Sequence, residues 1–188
     1  MLVDPATLGD QIDEQFRRGG QTGGVSTDGE AMGLALAQAR EAGERGDVPV
    51  GAVLLSPAGH VLAQAGNRRQ VDGDPTAHAE ILALRGAGVE QGDWRLTGCT
   101  LVVTLEPCTM CAGAIVLARV QRLVLGAWDE KAGACGSTRD VVRDTRLNHQ
   151  VQVTGGVLAS ESTRLLTDFF TARRQPAGEE PPAPAASG

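Results

Sequence analysis

Aromatic residues are scarce in this chain. Its 188 residues include three Phe, two Trp and no Tyr, which leaves Leu, Val and Ala to build the core. No apolar run approaches the ~20 residues of a membrane span. The N-terminal stretch lacks the basic-then-apolar pattern of a secretory signal, so a cytoplasmic protein without membrane attachment is expected. Excess positive charge is missing too: the formal net charge is −6, which opposes a broad polyanion-binding face. Four cysteines without a secretory signal also argue against a disulfide framework. Histidine is as sparse, with three in the whole chain.

What is present is 41% apolar and 21% charged, the balance of a folded globular protein, and the length suits one domain. The acidic excess lies at the ends. Residues 1–29 carry Asp4, Asp10, Asp13, Glu14 and Asp28 against Arg17 and Arg18, and the last fourteen residues carry Glu179 and Glu180 with no base, which leaves the middle at −1. Near-neutrality permits a local basic patch. Arg139, Arg143, Arg146 and His149 form one cluster along the sequence, and Arg164, Arg173 and Arg174 another; each reads as a solvated face or as a contact to a polyanion. The stretches "RRGGQTGGVSTDGE" and "QPAGEEPPAPAASG" are too poor in apolar residues to fold. The reading is a flexible leader over 1–29, a folded domain over 30–174 and a disordered Pro/Ala-rich tail over 175–188.

Between the ends, helix and strand patterns alternate. Met32, Ala35, Leu36 and Ala39 recur at i, i+3, i+4 and i+7, a first helix ended by Gly43 and Gly46. "VGAVLL" and "HVLAQA" flank "SPAG", a hairpin. "DPTAHAEILALRGAG" begins with turn and cap formers and continues as a second helix. "CTLVVTL", "TMCAGAIVLAR" and "RLVLGA" follow as strand, helix and strand, close enough to imply a parallel crossover. "QVQVTGG" makes a fifth strand, and residues 160–174 a last helix capped by Ser160 or Ser162. The expected fold is an α/β sandwich: a mixed sheet with helices on both faces.

The chemistry concentrates at two helix starts. His78 and Glu80 fall in the first turn of the second helix, Cys108 and Cys111 in the first turn of the third. Residues three apart share a helix face, so both thiols can address one point, and the positive end of the helix favours their thiolates. Two thiolates and an imidazole are ligands of the types zinc prefers, with the fourth tetrahedral position left open as in catalytic sites. Taken singly, each residue has an ordinary explanation: a capping histidine, a glutamate on the helix dipole, a redox pair. A structural zinc would need a fourth ligand, and Cys99, Cys135, His60 and His149 are not at knuckle spacing. Cys99 and Cys135 read as plain buried thiols.

Together "HAE" and "PCTMC" match the zinc-deaminase signature. "VPVGAV", "NRR", "DPTAHAEILALR", "WRL", "VTLEPCTMCAGAI", "DEKAGACGS", "NHQVQVTGGVL" and "LLTDFF" resemble the bacterial tRNA-specific adenosine deaminases over about residues 30–174. The resemblance implies a three-layer α/β/α sandwich with a mixed five-stranded sheet, of the cytidine deaminase-like kind. It implies one zinc ion per subunit on His78, Cys108 and Cys111, with Glu80 as the catalytic acid and base. By the same resemblance Asn67 contacts the target nucleotide, Asp129 and Lys131 lie on the loop touching its neighbours, and Phe169, Phe170 and Arg174 belong to a terminal helix bordering the RNA. The implied partners are the anticodon stem–loop of a tRNA reading arginine codons, with adenosine at its wobble position, and a second subunit in a homodimer.

The chain departs from that pattern at Trp128, where the family commonly has a basic residue, and at Cys135, where it usually has a small one. Free-base deaminases share the DPTAHAE-type and Pro-Cys-x-x-Cys segments, so a deaminase of guanine, cytosine or a nucleoside is the alternative reading. A noncatalytic zinc-binding or RNA-binding module is a third, and it has no use for Glu80.

Overall fold

The computed structural model describes residues 24–174; the tail read over 175–188 and most of the leader lie outside them. The elements are α1 (Asp28–Glu44), β1 (Gly51–Leu55), β2 (Val61–Gly66), α2 (Arg69–Asp72), α3 (Ala79–Gln91), β3 (Thr100–Leu105), α4 (Thr109–Leu117), β4 (Arg122–Ala127), β5 (Gln152–Thr154) and α5 (Ala159–Arg174). The sheet runs β2-β1-β3-β4-β5. The hairpin and the β1–β3 pair are antiparallel, and β3–β4 and β4–β5 are parallel. It is the mixed five-stranded sheet that the sequence pattern implies.

Both faces of the sheet are covered, because alternate residues of its central strands are apolar in both phases. Leu54, Leu101, Val103, Leu123 and Leu125 pack on one side with Leu82, Ala83, Ala112 and Ile115 of α3 and α4. Val53, Leu55, Val102 and Val124 face the other way, against Met32, Ala35 and Leu36 of α1 and Leu165 of α5. Small residues let α1 come very close. A Cβ on Gly51 would overlap the Ala35 carbonyl oxygen, and one on Gly66 would meet the Gln38 carbonyl at 2.5 Å. Cys99 and Cys135 are buried and free.

Several local details differ from the sequence pattern. The helix α1 begins at Asp28, where Thr27 and Glu30 form a reciprocal capping box. Val25 also bonds Gly59, so the folded body starts inside the stretch read as leader. Neither Ser160 nor Ser162 caps α5, which starts at Ala159 after Leu158 at φ 49°. Ser162 is instead buried against β4, where Gly126 leaves room for its hydroxyl. The fifth strand is only three residues long. The four-residue α2 shows no periodicity to read: the buried Asp47 carboxylate holds it by accepting from the Gln70 and Val71 N–H groups at 2.8 and 3.3 Å.

Candidate active site

The two helix starts meet. His78 is the N-cap residue of α3 and Cys108 that of α4, each with extended backbone. An Asx turn precedes the first: Asp74 accepts from the Thr76 N–H and hydroxyl, both at 2.7 Å. Pro107 precedes the second and accepts from Ala134 N–H at 2.9 Å. His78 Nδ1 lies 3.8 Å from Cys108 Sγ and 3.5 Å from Cys111 Sγ. Tetrahedral coordination with Zn–S near 2.3 Å and Zn–N near 2.0–2.1 Å separates nitrogen and sulfur by roughly 3.6 Å. The three donors therefore fit a zinc ion, and their ligand atoms all lie within 4.8 Å of one another.

Electrostatics agree with the geometry. The Cys111 thiol and His78 hydrogen-bond Cys108 and draw it down to about 3. That same bond to Cys108, reinforced by burial and by Glu80, pushes Cys111 up. One negative charge is thus held readily, and a cation is needed to release the second proton. The neighbouring Cys108 sulfur raises His78. Glu80, buried in the first turn of α3, is raised chiefly by burial, which moves a carboxyl toward the range useful for proton transfer near neutral pH.

A pocket of about 160 Å³ opens beside these groups, lined by Val48, Val50, Asn67, Arg69, His78, Ala79, Glu80, Leu105, Glu106, Cys108, Asp129 and Ala132. It is small beside the ~300–1,000 Å³ of drug-sized sites, and so suited to a single small group. Asn67 is 5% exposed; its side-chain N–H donates to Val48 O at 3.3 Å while its Oδ1 has no partner among the described residues. Asp129 lies in the wall, its carboxylate accepting from Lys131 and Ala132 N–H at 2.9 and 3.2 Å. Lys131 is exposed and outside the lining.

Two residues that sequence reasoning passed over shape the walls. The buried Glu106 carboxylate accepts from Asp129 N–H at 2.9 Å, Cys135 N–H at 2.9 Å and Ser137 N–H at 3.0 Å, fixing the loop 129–137. Asp47 holds α2 and with it Arg69. "LEP" beside the thiols was the only hint of the first. The basic cluster is largely neutralised: Arg143 pairs with Asp140, Arg146 with Asp144, and His149 bonds Val120 O. Phe169 is half-buried under Arg173, and Phe170 packs edge-on against it.

A three-layer α/β/α fold with two thiols, an imidazole and a buried glutamate at adjoining helix starts is the arrangement of a zinc deaminase. Residues 25–127 match the cytidine and deoxycytidylate deaminase zinc-binding region, and the chain belongs to that family. Within it, the chain is 48% identical over 148 residues to the tRNA-specific adenosine deaminase of Haemophilus influenzae, spanning 79% of this chain and 86% of that one. A solved structure from studies of A-to-I editing by tRNA:A34 deaminases at the wobble position superposes with a TM-score of 0.70 at 48% identity, covering 72% of this chain and 98% of the other. The chain is also 51% identical over 145 residues to the tRNA(Ile)-lysidine synthase of Deinococcus deserti, but spans only 27% of that longer protein and 77% of itself is matched.

Proposed function

We propose that the chain hydrolytically deaminates adenosine to inosine at the wobble position of a tRNA anticodon, that of a tRNA reading arginine codons. The observation that carries the chemistry is the convergence of His78, Cys108 and Cys111 beside the buried Glu80 at the wall of a pocket sized for one base. The similarity to tRNA-specific adenosine deaminases supports the substrate.

His78, Cys108 and Cys111 hold one zinc ion per subunit; when bound, zinc supplies a Lewis acid that makes water nucleophilic near neutral pH. Glu80 takes a proton from the attacking water and delivers it to the purine ring nitrogen. It then takes the second proton, from the new C6 hydroxyl, and delivers it to the departing amino group as the C6 carbonyl forms and the C–N bond breaks, so that adenosine and water give inosine and ammonia. One carboxyl serves as base and then acid, and burial prepares it by holding its proton affinity above the ordinary value. The unpartnered Oδ1 of Asn67 accepts a hydrogen bond from the target nucleotide. A base in a duplex cannot reach such a pocket, so the RNA must present it splayed from a loop. Asp129 and Lys131 are proposed for the neighbouring nucleotides, Asp129 at the wall and Lys131 exposed two residues further along the same loop.

A cytoplasmic homodimer belongs to the same proposal. Between α3 and α4 lies an open apolar groove that includes Ile81, Leu84, Val89, Trp94 and Leu117, with Trp94 56% and Leu117 68% exposed; patches of this kind mark protein contacts. No helix among the described residues is long and apolar enough to cross a membrane.

The test is incubation of zinc-loaded protein with an anticodon stem–loop carrying adenosine at the wobble position, reading inosine by nucleoside analysis. A cytidine-substituted loop and free guanine run alongside. Inosine from the adenosine loop alone is expected, lost on chelation and restored by zinc. Turnover of guanine with no inosine would overturn the substrate.

A further inference from the structure

Next to the pocket stands one of the few aromatic side chains, placed where packing alone does not require it. Trp128 directly follows β4 and directly precedes Asp129 of the pocket wall. Its indole is 46% exposed, yet it is closely seated. A Cβ on Gly155 would overlap the ring, and one on Gly136 would lie 3.3 Å from it. Two bare backbone stretches thus hold one part of the indole, and the remainder faces a second cavity, of about 450 Å³, lined by Trp128, Glu130, Gly136, Ser137 and Thr138.

The two cavities share one loop. Glu106 bonds both Asp129 N–H in the wall of the first and Ser137 N–H in the lining of the second, and the Ser137 hydroxyl donates to Asp129 O at 2.8 Å. The spacing between them is therefore fixed. On the rim of the second cavity the Thr138 hydroxyl donates to Gly133 O at 2.5 Å and accepts from the Arg139 guanidinium at 3.5 Å. Neither Arg139 nor the exposed Lys131 has an acidic partner among the described residues. A seated aromatic plane with a guanidinium free of acidic partners beside its rim meets a base by stacking and its backbone by charge; the Glu130 carboxylate in the same lining turns phosphate toward the Arg139 side.

We propose that Trp128, with the Ser137–Thr138 rim, forms a stacking subsite for the nucleobase adjoining the one that enters the pocket. This rests on the RNA reading given above and assigns it a specificity-determining residue. A splayed target needs its neighbour held elsewhere, and a rigid indole one residue from the wall holds it without ordering a flexible side chain.

The experiment uses the zinc-loaded full chain, an adenosine stem–loop with 2-aminopurine placed in turn on either side of the target, and the variants Trp128→Phe and Trp128→Leu. Both leave an apolar side chain in the seat, zinc content and thermal midpoint monitor folding, and only Phe keeps a π face. With the wild-type chain, 2-aminopurine emission at one flanking position is expected to be quenched on binding. Trp128→Leu should lose that quenching and raise KM and Kd by about 5- to 100-fold, with kcat moving far less, while Trp128→Phe stays within roughly threefold of the wild type by the same stacking argument. Equal binding by Phe and Leu variants, or quenching that survives in Trp128→Leu, would assign the indole to packing and overturn the subsite. If the wild-type chain makes inosine and only these differences are absent, the subsite alone falls. If it neither binds nor converts the loop, the functional reading falls with it.

Discussion

Replacing Glu106 with Gln tests whether the pocket's outer wall is built by a single carboxylate. In the wild-type chain one oxygen accepts from Cys135 and Ser137 N–H and the other from Asp129 N–H, at 2.9–3.0 Å, with the side chain buried. An amide can satisfy the first two as neutral bonds, about half as strong as charge-assisted ones. Its NH₂ then faces the Asp129 N–H, donor against donor; the flipped amide is worse, with two such clashes. Hydrogen bonds to a charged group contribute about 1.5–3 kcal/mol each. Losing one and halving two gives a cost of about 3–6 kcal/mol for Glu106→Gln. A chain of this size loses about 2–4 °C of melting temperature per kcal/mol, so the midpoint should fall by roughly 6–24 °C.

The pH dependence provides a separate check. Burial raises the Glu106 carboxyl, but the Ser137 and backbone N–H bonds outweigh it and leave it below the ordinary value. A lowered folded pKa means stability that is present above the unfolded value and lost as pH falls through the folded one. The difference between wild type and Glu106→Gln should thus be full at neutral pH and shrink only below the ordinary Glu value of about 4.3. Denaturant titrations at several pH values measure it, with zinc content and inosine formation on the same samples. A difference under about 0.5 kcal/mol, the size of an ordinary surface substitution, would refute the assignment. So would a difference that grows on acidification.

Glu80→Gln should keep fold and zinc content while inosine formation falls by about 10²–10⁴-fold, the range of a lost acid–base group; retained turnover in metal-replete protein would remove Glu80 from the chemistry. Asn67→Ala should raise KM for the stem–loop about tenfold, the equivalent of one hydrogen bond of about 1.4 kcal/mol, and an unaltered KM would leave its unpartnered oxygen without a role in binding. Gly51→Ala, which drives a methyl group into the α1 backbone at Ala35 and Ala39, should cost about 3 kcal/mol or more in urea denaturation because backbone cannot step aside as a side chain can; a neutral effect would mean that α1 shifts freely on the sheet.

His78, Glu80, Cys108 and Cys111 are legible in sequence because a metal and a proton transfer demand particular residue types, and because a helix start converts short spacing into a shared direction. The sheet is legible for a similar reason: "CTLVVTL" and "RLVLGA" are apolar in both phases, which only a strand covered on two sides tolerates. Glu106 and Asp47 are not legible in this way. Their partners are backbone N–H groups 23–31 residues away, and any residue but Pro supplies such a donor, so no side-chain pattern records the pairing. Sequence proximity also misleads at Arg139, Arg143 and Arg146, where the interleaved Asp140 and Asp144 take up two of the three charges.

The difference has a functional consequence. The groups that sequence reveals are those proposed for the chemistry, while the two hidden carboxylates each hold one wall of the pocket: Asp47 fixes α2 and Arg69 on one side, and Glu106 fixes the 129–137 loop on the other. None of these bonds passes through His78, Cys108 or Cys111. A buried carboxylate bound to several backbone donors is already satisfied without a metal, so the walls proposed to meet the RNA stand independently of the His78, Cys108 and Cys111 donors. On the proposed function, recognition and reaction therefore rest on separate sets of bonds, which meet where Asn67, Glu80 and Asp129 line the same small pocket.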